Sequence, residues 1–123
     1  MFQLDHKDPR PIYEQIKDKI KELIIAGVLK ENDKVPSVRE LAGTLTINPN
    51  TIQKAYRDLE AEGYIYSLRA KGSFVAPKHE VVKRIDTDEI LTELSALVSK
   101  IRFLGITYEE ANEILIKEYK GKE

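Results

Sequence analysis

Apolar residues first recur every three or four positions, at Ile12, Ile16, Ile20, Leu23, Ile24 and Val28. That spacing gathers them on one side of a helix. Pro11 stands just ahead, where its missing N–H costs nothing, and Gly27 stands at the far end as a stop. The pattern predicts a helix from about Ile12 to Ala26. A second stripe, Val38, Leu41, Ala42 and Leu45, opens beside Ser37 and Glu40, which have the spacing of a capping box. "LTIN", Leu45 to Asn48, reads as the turn that ends it.

The third stripe is Ile52, Ala55, Tyr56 and Leu59. Asn48 is a good N-cap and Pro49 a good first helical residue, while Gly63 closes the segment. At about 100° per residue, Asn50, Lys54 and Arg57 fall on the opposite face, with Gln53 beside them. No acid interrupts that face before Asp58.

Beyond Gly63 the period shortens. "YIYS" and "SFVA" carry the aromatic and β-branched residues of strands, and "LRAKG" between them ends in Gly72. Together they predict a β-hairpin with a basic tip, Arg69 and Lys71. Tyr56, Tyr64, Tyr66 and Phe74 are expected in the core or the sheet, and "PKHEVVKR" reads as a linker. After it, Ile90, Leu94, Leu97, Ile101 and Leu104 follow at intervals of 4, 3, 4 and 3, the pattern of a helix–helix seam. Leu91 and Val98 widen it. Gly105 ends this helix, and Thr107 with Glu110 caps a last one carrying Ala111, Ile114, Leu115 and Tyr119.

The predicted fold class is mainly α with a small β-hairpin: a winged helix-turn-helix domain over 1–77, then a two-helix dimerisation tail over 78–123. Two helices cannot bury both of their faces. The seam could pack internally on the last helix or across a two-fold axis, and a homodimer through Ile90, Leu94, Leu97, Ile101, Leu104, Ile114 and Leu115 is the expected solution.

Composition narrows the function. Of 123 residues, 41% are hydrophobic and 33% charged, as in an ordinary globular chain. The absence of cysteine removes disulfides, thiolate metal sites and cysteine nucleophiles. No apolar run approaches the roughly 20 residues of a membrane span, and the N-terminus lacks a secretory pattern, so a cytoplasmic location is expected. Net charge is −1, yet from Lys34 to Ser73 there are 6 basic and 4 acidic side chains. Any basic footprint is local.

No glycine-rich phosphate loop, nucleophile elbow or HExxH motif is present, so an enzyme is not expected. His6 and His79 are isolated, and Asp86, Asp88 and Glu89 read as a solvated helix start. Neither a metal nor a cofactor is expected, and no residue pattern names a small effector. In a winged helix the third helix enters the major groove N-terminus first. Asn50 and Gln53 suit adenine, Lys54 and Arg57 suit guanine, and Arg69 and Lys71 suit the backbone or minor groove.

"PSVRELAGTLTINPNTIQKAYRDLEAEGYIYSLRAKGSFVA" resembles the DNA-binding domain of GntR-type transcription regulators, with PSxRELA, NPNT, AYxxLExEG and KGxFVA in order. The short tail is similar to that of the YtrA-like subfamily. The resemblance implies that Arg39 contacts an operator and that Asn48, Asn50, Thr51 and Gln53 read or position DNA. It makes Lys71 and Gly72 the wing tip. The full candidate set for duplex DNA is Ser37, Arg39, Asn48, Asn50, Thr51, Gln53, Lys54, Arg57, Arg69, Lys71 and Gly72. Thr46 stands where the family has a turn glycine, and Leu68 and Ala70 replace an arginine and a glycine of the wing. The expected function is a homodimeric repressor on a near-palindromic operator. The alternative is a winged-helix protein-interaction module without specific DNA binding.

Overall fold

The computed structural model describes residues 3–5 and 7–121; His6 lies outside them. The chain divides into two compact units, Met1–Arg84 and Ile85–Glu123.

The first unit begins with α1 (Ile12–Ile25), α2 (Val38–Leu45) and α3 (Pro49–Ala61). An antiparallel hairpin follows, β1 (Ile65–Leu68) and β2 (Gly72–Val75), with Ile65 opposite Val75 and Leu68 opposite Gly72. The helix α3 is central, packing on α1, α2 and β1. Its stripe is the middle of the core: Ile52, Ala55, Tyr56 and Leu59 are all buried. Ile16 and Ile20 from α1, Leu41 and Ala42 from α2, and Tyr64, Ile65 and Val75 from the hairpin close around them. Burial of each large aliphatic side chain stabilises by about 1.5–3 kcal/mol. Val28 departs from its predicted stripe and is exposed, because the chain has already left the helix there.

Gly63 has φ 84, a left-handed backbone that turns α3 into β1, and the Arg84 side chain lies over it. Two features differ from the sequence reading. The loop between α1 and α2 runs beside β2: Asn32 N–H donates to Val75 O at 2.8 Å, Val35 N–H to Ser73 O at 2.9 Å, and Lys34 bridges Phe74. "PKHEVVKR" is also more than a linker. It holds a short helix, α4 (Lys78–Val82), because Val81 is apolar enough to be buried in the first unit.

The second unit consists of α5 (Thr87–Phe103) and α6 (Tyr108–Lys120). Asp86 caps α5, accepting from Glu89 N–H, with Asp88 and Glu89 in the first turn and Lys100 and Arg102 in the last. These charges oppose the helix dipole at both ends. Thr107 and Glu110 form the reciprocal capping box of α6. No described residue of either helix is buried.

Candidate nucleic-acid interface

The start of α3 is built by its cap. Asn48 Oδ1 accepts from Asn50 N–H at 2.8 Å, and Pro49 needs no partner at the first helical position. With the backbone so held, the side chains of Asn50, Gln53 and Arg57 are exposed, and Thr51 is half-buried beside them. At the start of α2, Ser37 Oγ accepts from Glu40 N–H at 3.0 Å. Among the described residues the return bond from Glu40 is not made, so only half of the expected box forms. Arg39 is exposed in the first turn of α2. It lines an open depression with Ala42, Gly43, Thr46, Ile47 and Pro49, which brings α2 and the tip of α3 to one surface.

Thr46 makes that approach in a left-handed conformation, φ 55 and ψ 51. Its own N–H closes α2 on Ala42 O, so the turn is satisfied without glycine. Tyr56 fixes the other side: its hydroxyl donates to Pro36 O at 2.6 Å, one residue before the α2 cap. Burial, then the charge of Glu40, raises the phenol pKa well above its ordinary range, so it stays a donor. Nothing in the periodicity marks this bond, because Tyr56 lies on the apolar stripe of α3.

Asp58, late in α3, and Glu62, its C-cap, face the lysines of α1. Lys17 of α1 lies 3.5 Å from Asp58 and 2.6 Å from Glu62, and Lys21 lies 2.8 Å from Glu62. Burial opposes ionisation of Glu62, but hydrogen bonds from Lys17 and Lys21 outweigh it and lower its pKa. The Lys17 ammonium is correspondingly raised, chiefly by its bond to Glu62. Lys54 is exposed on the expected face, and its ammonium sits 3.9 Å over the Tyr13 ring. A cation so placed is held by the ring quadrupole.

The hairpin presents Arg69, Ala70 and Lys71, all exposed, and Lys71 N–H donates back to Leu68 O. Ala70 takes φ 67, the conformation a glycine would adopt more readily. Glu60 ties this wing to α3, accepting from both Ser67 N–H and Ser67 Oγ at 3.2 Å. Tyr66 stacks on Phe74 with centroids 5.6 Å apart and donates to Asn32 Oδ1 at 2.9 Å. The structure therefore places Ser37 and Arg39 at the start of α2, Asn48, Asn50, Thr51 and Gln53 at the start of α3, Lys54 and Arg57 farther along the exposed face of α3, and Arg69, Lys71 and Gly72 at the wing. Glu60 was missed by sequence reasoning, because the step to Ser67 runs from a helix through the Gly63 turn into a strand and carries no periodic signal.

Among the described residues no group of His, Asp or Glu could hold a metal ion, and no helix is long and apolar enough to cross a membrane. Residues 12–75 match the pattern described as "Bacterial regulatory proteins, gntR family". The chain is 41% identical over 115 residues to the HTH-type transcriptional repressor YtrA of Bacillus subtilis, covering 92% of this chain and 88% of that one. A crystal structure of a transcriptional regulator from Oenococcus oeni is 35% identical, with TM-score 0.66 over 96% of this chain and 99% of that one. The DNA-binding domain of AraR in complex with operator ORE1 is also similar: 35% identity and TM-score 0.54, covering 62% of this chain and 95% of that one.

Proposed function

The chain belongs to the gntR family of bacterial regulatory proteins, a family of DNA-binding transcription regulators rather than enzymes, and from that premise we propose that it is a homodimeric repressor of a near-palindromic operator. The observation that carries the reading is the exposed polar stripe at the start of α3, whose first turn holds no acid. Arg39, Asn50, Gln53 and Arg57 are exposed together, while Asp58 and Glu62 are turned to the lysines of α1. Asn50 and Gln53 offer paired donors and acceptors to adenine, and Arg39 and Arg57 offer forks to guanine. Ser37, Asn48 and Thr51 lie where helix N-termini favour phosphate, and Lys54, released from Tyr13, adds a charge beside them. Arg69 and Lys71 follow the backbone or minor groove from the wing.

The tail supplies the two-fold axis. Ile90, Leu94 and Leu97 of α5, Leu104 at its C-cap, and Ile114 and Leu115 of α6 are each at least half exposed, and Ile101 is partly covered. So many apolar side chains along an a/d seam are best buried by a second copy of the same seam. Two winged helices related by that axis read two half-sites, and they work in the cytoplasm, where that DNA lies.

Selection of binding sites from a random duplex pool, followed by fluorescence anisotropy, tests the reading. The enriched duplex is expected to be near-palindromic and preferred over a scrambled one by about 10³ or more. Weak, equal binding to both duplexes would instead favour a protein-interaction module, the reading that the net charge of −1 suggests.

A further inference from the structure

We propose that Lys34 is a third basic arm of the wing, contacting DNA phosphate together with Arg69 and Lys71; this rests on the DNA-binding reading above. Lys34 lies between α1 and α2, far from the hairpin in sequence. Its backbone nevertheless bridges Phe74, and hydrogen bonds from Asn32 and Val35 to β2 pin the chain on either side. From that fixed base the side chain crosses the end of the hairpin. At the point where Gly72 would carry a Cβ, Lys34 Cε lies 3.0 Å away and Nζ 3.8 Å away. Gly72 directly follows Lys71, so the ammonium is delivered to the wing turn. The bare glycine is what leaves room for it.

The acids flanking Lys34 are occupied elsewhere. Asp33 accepts from Lys30 N–H at 2.8 Å and Glu31 from Lys78 N–H at 2.8 Å. Among the described residues no carboxylate forms an ion pair with Lys34, Arg69 or Lys71. An isolated surface lysine would simply be solvated. Here a tethered base brings Lys34 to the turn that also carries Arg69 and Lys71. An ammonium is a compact point charge suited to phosphate rather than to bidentate base reading, so the contact is sequence-blind.

The test uses the full chain, the duplex enriched by selection and a scrambled duplex of equal length, titrated from about 50 to about 200 mM salt. Lys34→Gln is expected to weaken both complexes by the same factor and to flatten the slope of log affinity against log salt by about one unit. Lys34→Arg should restore the slope, and thermal melting should not change. An unaltered slope in Lys34→Gln overturns the proposal while specific binding by the unmodified chain leaves the DNA reading standing. Loss confined to the enriched duplex, with the slope intact, would put Lys34 on a base and overturn the phosphate assignment. If the unmodified chain shows neither discrimination nor a salt slope, the DNA reading fails and Lys34 falls with it.

Discussion

Asn48 and Asn50 are two residues apart and carry different duties. Asn48 spends its side-chain oxygen on the amide of Asn50, while the Asn50 side chain is left exposed at the helix tip. Asn48→Ala should therefore lower stability by about 1 kcal/mol and weaken DNA binding as well. Asn50→Ala should leave the melting temperature alone and relax discrimination by about 1–3 kcal/mol at one base pair, as read by competition with single-site variants. Equal specificity in Asn50→Ala would remove it from the reading set. Tyr56 shows the same separation within one side chain, its ring buried in the core and its hydroxyl holding Pro36 O. Tyr56→Phe keeps the packing and is expected to cost about 1 kcal/mol in denaturant unfolding, because Pro36 O loses its donor.

Between elements, α1 neutralises the acids of α3 and α3 anchors the wing. Glu62 has a lowered pKa, so its stabilising effect is complete above its ordinary value of 4.5 and disappears as pH falls through the lowered one. Glu62→Gln should melt below the unmodified chain near neutral pH, with the two curves converging in acid. A gap independent of pH would exclude the ion pairs with Lys17 and Lys21 as its cause. Glu60→Ala removes both bonds to Ser67. The bonds are solvent-exposed, so the global cost is about 1 kcal/mol or less, but amide exchange across β1 should accelerate while that of α3 does not. Unchanged exchange in β1 would mean that packing of Tyr66 and Phe74 alone holds the wing.

At the scale of the whole molecule, a winged unit with its own core is joined to a helical pair in which no described residue is buried. Under the dimer reading, Leu97→Asp places a charge in the seam and should yield a monomer by sedimentation with the circular dichroism of the winged unit retained. DNA affinity should fall toward that of one half-site, because the second wing no longer binds at high effective concentration. A Leu97→Asp chain that still sediments as a dimer would move the two-fold axis away from α5.

Much of this was written locally along the chain. The stripes of α1, α2 and α3, the Asn48-Pro49 start, the hairpin and the box at Thr107 and Glu110 all follow from periodicity and capping, which depend only on neighbours a few residues apart. The polar face of α3 was legible for the same reason, since helical angle converts spacing directly into direction. Tertiary structure decided what depends on distant partners. It docked Lys54 on Tyr13, joined Tyr56 to Pro36 and Glu60 to Ser67, and turned Asp58 and Glu62 toward α1. It also ran the polar loop through Lys34 beside β2 and gave "PKHEVVKR" a helix through the burial of Val81. Polar side chains carry no periodic sign of their partner, and a single buried valine gains its stabilisation only once a core exists to receive it.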